Sequence, residues 1–240
     1  MNVSKCSCLR FGPRTLQNCS TGPSPYSVGG EVINFTESHP DLGVLINRKL
    51  KFHGHVQKTA NKCNALITNI LSSTLCRDPE FLLSIFKSLI RPNLEYGSCL
   101  WNYEYLGDTR ALERIQRRWT RKVDRMQSLP YSERLQQLDL FSVQGRLLRA
   151  DMILTWKIFN QECAINLEQI FILDRSPTRG HSRKLFLPRV NLDTRKRFFA
   201  VRVISTWNSL SNDTVNAVTL NKFKSLLHRD LGQRLYAYLD

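Results

Sequence analysis

The first 53 residues show short apolar segments separated by turn-forming residues, with no helical repeat. The apolar positions concentrate in two segments, VINF (32–35) and DLGVLI (41–46). Glycine and proline interrupt the pattern at Gly12-Pro13, Gly22-Pro23, Gly29-Gly30 and His39-Pro40. Such residues are typical of turns between short strands. The pattern therefore predicts a small sheet or a pair of hairpins.

From His53 onward, apolar positions recur every three or four residues, which is the period of one helix face. The first predicted helix carries this face at Val56, Ala60, Cys63, Ile67 and Ile70. A second helix is predicted to begin at Asp78-Pro79, because aspartate caps free amides and proline suits the first helical position. We expect Arg91-Pro92 to break or kink it, since proline disfavours helical geometry in the residue before it.

A third amphipathic segment is predicted as one helix from about Asp108 to Met126. Its apolar face consists of Leu112, Ile115, Trp119, Val123 and Met126. Its opposite face carries Arg110, Arg114, Arg117, Arg118, Arg121 and Arg125. An ordinary solvated face usually mixes both signs in i,i+4 pairs, whereas the planar guanidinium suits phosphate. We expect phosphate contacts here, and a solvated surface is the alternative.

Two further helices are predicted at 132–139 and 143–160. Asp151 falls near the apolar face of the second one. Because a lone catalytic carboxylate would need a second one nearby, we interpret Asp151 as one half of an ion pair. Its expected partner is Arg146, Arg149 or a neighbouring helix. The fold class predicted from all these segments is mainly α, with a small N-terminal β-hairpin region.

The chain of 240 residues carries 35 Lys and Arg against 20 Asp and Glu, a formal net charge of +15. Residues 1–107 contribute +4 and residues 108–240 contribute +11. This excess points to a polyanionic partner, with general solubility as the alternative. The stretch 175–197 holds eight Lys and Arg with a single acid. It suits a groove that follows a nucleic-acid backbone, or else an ordinary basic loop.

The composition also argues against several classes of protein. No run approaches the roughly 18–20 apolar residues that a membrane span needs, and the first 25 residues lack the apolar region of a secretory signal. We therefore expect an intracellular protein, nuclear or cytoplasmic. The seven cysteines are odd in number and include no C-x-x-C, which favours neither a disulfide framework nor a zinc ribbon. The sequence predicts no metal site.

Several segments together resemble the region after the polymerase palm in LINE-type (non-LTR) retrotransposon reverse transcriptases of the jockey-like and chicken-repeat clades. The upstream segments are DLGVLINRKLKFHGHV, LIRPNLEYGSCLWN and LERIQRRWTRKV. The downstream segments are PTRGHSRKL, TRKRFFAVRVISTWNSL and VNAVTLNKFKSLL. The resemblance covers about residues 2–231 and rests on the order and spacing of these segments, since no single motif is decisive.

The resemblance implies a division into three parts. Residues 1–52 correspond to the end of the palm and the hairpin that grips the primer. Residues 53–160 correspond to a thumb-like helical bundle that holds the template–primer duplex, and 161–240 to a basic C-terminal helical extension. Lys5 matches a palm lysine whose role in the family is to help protonate the leaving pyrophosphate.

The resemblance also implies that catalysis is lost. The family's polymerases use carboxylates, including an adjacent Asp-Asp pair, to hold two Mg²⁺ ions. This chain has no Asp-Asp, so Lys5 has no metal site to serve. We therefore expect no enzyme activity and no cofactor, and we interpret the chain as a truncated, non-catalytic remnant of an RNA-directed DNA polymerase.

Three hypotheses remain open at this point. The first is sequence-independent binding of an RNA–DNA or other duplex, with no membrane role. The predicted binding residues are Arg110, Arg114, Arg117, Arg118, Arg121, Arg125, Arg179, Arg183, Lys184, Arg195 and Arg197. The second hypothesis is a helical protein-interaction or structural module without a nucleic-acid role. The third is that the region does not fold alone, because exposed strand edges and apolar patches promote aggregation.

Overall fold

The computed structural model describes residues 6–11, 23–102, 105–176 and 180–238. Within this part, helices form most of the regular structure, and the named strands form two small antiparallel pairs near the N-terminus. The predicted fold class, mainly α with a small N-terminal β-hairpin region, is confirmed. The chain separates into two compact units, Met1–Val56 and Gln57–Asp240. The division predicted at residue 160 falls inside the second unit.

The first unit contains two hairpins. Their strands are β1 (Pro23–Val28), β2 (Glu31–Asn34), β3 (Ser38–Asp41) and β4 (Val44–Asn47). Gly29-Gly30 joins β1 to β2 and Leu42-Gly43 joins β3 to β4, and all four turn residues have positive φ. Two-residue turns of this kind match the twist of the strands they join. The apolar segment 41–46 is therefore divided by a turn and does not form one strand.

The named elements that follow the two hairpins are all helical. The first half of this series contains α1 (His53–Ser73), α2 (Pro79–Ile85), a π-helical segment (Phe86–Ile90), α3 (Arg91–Glu95), α4 (Ser98–Trp101), α5 (Leu106–Thr120) and α6 (Tyr131–Gln137). Its second half contains α7 (Val143–Phe159), α8 (Leu167–Ile170), α9 (Asp193–Arg197), α10 (Phe199–Asn208), α11 (Asn212–Val215), α12 (Leu220–Leu231) and a 3-10 turn (Gly232–Leu235).

The start of α2 follows the prediction, because the Asp78 side chain accepts a hydrogen bond from the Phe81 amide at 3.1 Å. Pro92, however, does not end the helical path. The chain passes through the π-helical segment, where the Arg91 amide donates to the Phe86 carbonyl five residues earlier. This wider turn accommodates a proline whose ring would clash with the preceding turn of a regular α-helix.

Helix α7 lies at the centre of the second unit. It contacts α3, α4 and α5 as well as α10 and α12. The Trp156 ring stacks on Phe223 of α12 with 5.5 Å between centroids, and Phe159 stacks on Trp207 of α10 with 4.9 Å. Both tryptophans and Phe223 are fully buried. The two helical parts predicted from the sequence therefore share one core.

Candidate nucleic-acid interface

Helix α5 buries the apolar face that the sequence predicts. Its apolar positions Leu112, Ile115 and Trp119 are at most 2% exposed. The two acids of the helix, Asp108 and Glu113, are buried as well. The solvent-facing side of α5 therefore presents none of the helix's own carboxylates.

Five arginines of the predicted phosphate-binding face are exposed, and four of them lack a partner among the described residues. We use the name α5 surface for these four residues, Arg110, Arg114, Arg121 and Arg125, together with the exposed Lys122. None of these side chains forms a hydrogen bond or ion pair with another residue in the described part of the chain. Asp124 is the one exposed acid within residues 105–126. The guanidinium groups are therefore available for a partner, and their planar fork matches phosphate oxygens.

The helix predicted to reach Met126 ends at Thr120, so this part of the prediction was wrong. Beyond Thr120 the chain forms turns, and Arg125 takes a left-handed conformation with φ of 65°. The Asp124 amide donates to the Arg77 carbonyl at 3.0 Å, a tertiary contact that an α-helix would not allow. Met126 is still buried. Two arginines of the α5 surface therefore extend from a turn and not from the helix.

Two other arginines of the predicted face make contacts within the chain. Arg118 donates to Asn64 Oδ1 and Thr68 Oγ1, each at 2.9 Å, which connects α5 to α1. The Arg117 guanidinium lies 4.7 Å from the centroid of the Tyr238 ring, a cation–π distance. Nucleic-acid binding by these two residues stays a prediction, but their side chains already have structural partners.

The basic stretch 175–197 is bound to α10. Trp207 Nε1 donates to the Arg183 carbonyl at 2.8 Å, and Asn208 Nδ2 donates to the Leu185 carbonyl at 2.8 Å. The Leu185 amide donates in return to Asn208 Oδ1 at 2.9 Å. These hydrogen bonds hold the backbone at Arg183 and Leu185 against α10, which composition alone does not reveal.

The arginines and lysine predicted in this loop have different environments. The Arg183 guanidinium donates to Asn160 Oδ1 at 3.3 Å and to the Val215 carbonyl at 3.2 Å. Lys184 is half-buried. Arg179 lies outside the described residues. Binding by these three stays a prediction, and Arg183 would have to exchange internal partners for phosphate.

The two predicted residues in α9 also differ. Arg197 pairs with Asp193 across one helical turn at 3.2 Å, and its guanidinium lies 4.4 Å from the centroid of the Tyr105 ring. Arg195 is exposed, with its guanidinium 5.4 Å from the centroid of the Phe198 ring. Arg195 is therefore the more accessible of the two for a polyanion.

His181 is a buried group in the basic loop that the sequence did not single out. Its Nδ1 accepts from the Arg183 amide at 3.2 Å, so its Nε2–H donates to the Trp207 carbonyl at 3.0 Å. Burial lowers the pKa of His181, and the nearby Lys184 lowers it further. The neutral imidazole therefore fits this site, because protonation would place a second N–H against a donor.

Glu113 is a buried structural acid that sequence reasoning missed. Its carboxylate accepts hydrogen bonds from the Tyr131 hydroxyl and, at 3.0 Å, from the Val143 amide. Val143 is the first residue of α7, so the carboxylate satisfies a free amide at a helix N-terminus. Burial raises the pKa of Glu113, and these hydrogen bonds oppose that shift. The sequence shows only a polar residue on α5 and not its distant partners.

The interpretation of Asp151 as one half of an ion pair is confirmed. Its partner is Arg202 of α10, whose Nε lies 2.9 Å from Asp151 Oδ2 and whose Nη2 lies 2.9 Å from Oδ1. Both side chains are at most 5% exposed. The pair therefore has a structural role in joining α7 to α10.

The polymerase site that the resemblance implies for the family involves a lysine matched by Lys5 and a set of metal ligands. Lys5 lies outside the described residues. Within them, no group of three or more His, Cys, Asp or Glu side chains is placed to hold a metal ion. The expected absence of enzyme activity and of a cofactor stays a prediction. In the same part of the chain, no helix has both the length and the apolar character to cross a membrane.

Comparisons with known proteins leave the family open. The resemblance to reverse transcriptases accordingly rests on the sequence segments quoted above. No protein-family model, no curated protein and no solved structure matches this chain.

Proposed function

We propose that this chain is a non-catalytic remnant of a non-LTR retrotransposon reverse transcriptase that binds nucleic-acid duplexes without sequence preference. The observation that supports the proposal best is the α5 surface. Its four arginines are exposed and have no partner in the described part of the chain, while both acids of α5 are buried. Catalysis is not part of the proposal, because the sequence contains no Asp-Asp pair.

The contacts on this surface are phosphate contacts, which carry no base information. Each phosphate that a cation neutralises releases a counterion, so the logarithm of affinity falls with the logarithm of salt by about 0.9 per contact on duplex DNA. Two arginines that each bind one phosphate would therefore account for about 1.8 of this slope. A salt titration thus counts the contacts that a variant loses.

The test is fluorescence anisotropy with a labelled RNA–DNA duplex, titrated across salt concentrations on monodisperse protein. We compare the wild-type chain with the double variant Arg114→Gln/Arg121→Gln. Neither side chain has a partner to lose among the described residues, so folding should be unaffected. The expected result is weaker binding and a salt slope reduced by about 1.8.

A matched control removes the same charge elsewhere. Lys49→Gln/Lys222→Gln changes two exposed lysines outside the predicted binding residues and should leave the slope nearly unchanged. Equal effects of both double variants would show that only net charge matters, and the α5 surface would be the wrong assignment. A folded protein that binds no duplex at low salt would favour the alternative, a helical protein-interaction or structural module.

A further inference from the structure

A cleft in the second unit lies apart from the residues of the α5 surface. Its volume is about 580 Å³, within the roughly 300–1,000 Å³ of small-molecule sites. Basic residues from the π-helical segment, α3 and α7 line it: Lys87, Arg91, Arg146, Arg149 and Lys157. Apolar side chains, including Phe141 and Leu154, form another part of the wall. The cleft thus combines a cationic side with an apolar one.

The carboxylates in the cleft do not neutralise these cations. Glu95 accepts from Arg91 at 2.9 Å and also pairs with Arg146, so one negative charge serves two arginines. Asp139 is the other acid of the lining, and it is exposed. Among the described residues of the lining, five Lys and Arg side chains face two carboxylates, which leaves a local excess of positive charge.

Two of the arginines have unmet hydrogen-bonding capacity. Arg146 is only 4% exposed, and its Nη2 has no hydrogen-bond partner in the part of the chain that the structure describes. Arg149 is half-buried, its Nε is buried without a partner, and it forms no ion pair with the described residues. An unsatisfied buried donor on a charged group is costly, and the nearby Arg91 adds like-charge repulsion. Burial and this repulsion together lower the pKa of Arg149.

We propose that this cleft binds a phosphate group of a small phosphorylated molecule, with Arg149 and Arg91 as the principal ligands of the phosphate. A doubly charged phosphate would relieve the repulsion between the two guanidinium groups and accept hydrogen bonds from their planar forks. Phe141 and Leu154 would contact the organic part of the molecule. This site goes beyond the proposed duplex binding and does not depend on the α5 surface.

The experiment uses the full chain, with inorganic phosphate and adenosine monophosphate as probes at constant ionic strength and chloride as the reference. Isothermal titration calorimetry gives the Kd, and thermal unfolding gives the Tm. We expect saturable binding of both probes, tighter for adenosine monophosphate, with a rise in Tm. In Arg149→Met, we expect the Kd to rise about tenfold or more, because a charge-assisted contact is lost.

The Arg149→Met variant should fold, since methionine fills the space of the aliphatic stem and the lost guanidinium has no ion pair. Its Tm without ligand should equal or exceed that of the wild type. Lys222→Gln, at an exposed lysine outside both proposed sites, is the control and should bind both probes as the wild type does. Probe binding that is no stronger than the chloride reference, or that is equal in Arg149→Met and the wild type, would overturn the proposal.

A third probe separates this site from the duplex site. A labelled RNA–DNA duplex should bind Arg149→Met and the wild type with equal affinity and should remain bound at saturating adenosine monophosphate. If the duplex alone binds in an Arg149-dependent way and neither small probe binds, the cleft is part of the duplex surface and the small-molecule site is refuted. Failure of Arg114→Gln/Arg121→Gln to weaken duplex binding would refute only the proposed function.

Discussion

The ion pair between Asp151 and Arg202 allows a quantitative test of how the two helical parts are joined. Replacing Asp151 with leucine, whose side chain has the same branching at Cγ, leaves the Arg202 guanidinium buried without its carboxylate. The two side chains are 3% and 5% exposed, and two nitrogen–oxygen distances of 2.9 Å connect them. Such a bidentate geometry is the strongest form of this interaction.

The expected loss in the free energy of unfolding follows from this burial. Removing one partner of a buried pair typically costs about 3–5 kcal/mol, because the other charge stays buried. Arg202 also donates to the carbonyls of Arg197 at 3.0 Å and Cys99 at 3.2 Å. These contacts partly compensate the stranded charge, so we expect about 3 kcal/mol, at the lower end of the range. This is a large share of the roughly 5–15 kcal/mol that stabilises a domain.

The double variant Asp151→Leu/Arg202→Met removes both charges together. Replacing a whole buried pair with apolar residues is often neutral or even stabilising. We therefore expect the double variant to be more stable than Asp151→Leu alone, with a coupling energy of about 2 kcal/mol or more in the double-mutant cycle.

The assay is equilibrium urea unfolding, followed by tryptophan fluorescence and far-ultraviolet circular dichroism. The control is Arg229→Met, because the Arg229–Asp230 pair has an arginine that is 58% exposed and should contribute less than about 1 kcal/mol. Strictly additive effects of Asp151→Leu and Arg202→Met would refute the reasoning, since two residues that stabilise each other cannot act independently.

Four further substitutions test other contacts. Gly145→Ala should destabilise the chain by about 1–3 kcal/mol in urea unfolding, because the added Cβ would lie 2.0 Å from the Leu235 carbonyl oxygen. Gly107→Ala is the matched control, since no described atom lies within 4 Å of its added Cβ. It should instead stabilise the chain by up to about 1 kcal/mol. The native pKa of His181 is lowered, so the stability that its neutral form contributes is complete above the unfolded pKa of about 6.5 and is lost as the pH falls through the native pKa. His181→Gln should therefore show a smaller fall in Tm between pH 8 and pH 5 than the wild type. An equal fall in Tm would contradict this. Arg118→Met should lower the free energy of unfolding by up to about 1 kcal/mol. In the anisotropy assay it should change the salt slope of duplex binding less than Arg114→Gln does. A larger change in salt slope for Arg118→Met would reverse the roles assigned to these two arginines.

The sequence predicts the faces of the helices better than their ends. The apolar period in α5 correctly places Leu112 and Trp119 in the core, because burial selects side chains at a fixed helical spacing. The end of α5 depends on the Asp124 amide, which donates to the carbonyl of Arg77. A contact over that distance in sequence leaves no periodic signal. The sequence likewise did not show that the helical path continues through Pro92, because this depends on the π-helical segment before it.

The sequence also counts charges without showing which of them are available. Asp151 and Arg202 neutralise each other inside the second unit, as do Glu95 and one of its two arginines, so the net charge of +15 belongs to the remaining side chains. Composition therefore predicted a polyanion partner but could not separate Arg118, whose hydrogen bonds connect two helices, from neighbouring arginines without such bonds among the described residues.

The availability of a cation also depends on how well solvent screens it. Exposed charges lose their long-range interactions beyond a Debye length of about 10 Å at 0.1 M salt, whereas partly buried charges are screened much less. The arginines of the α5 surface are exposed, while Arg149 is half-buried beside a buried Arg146. Binding on the α5 surface should therefore weaken steeply with salt, and binding in the cleft only modestly. The two proposed sites are thus distinguishable by the physical setting of their arginines, although both arise from the same excess of positive charge.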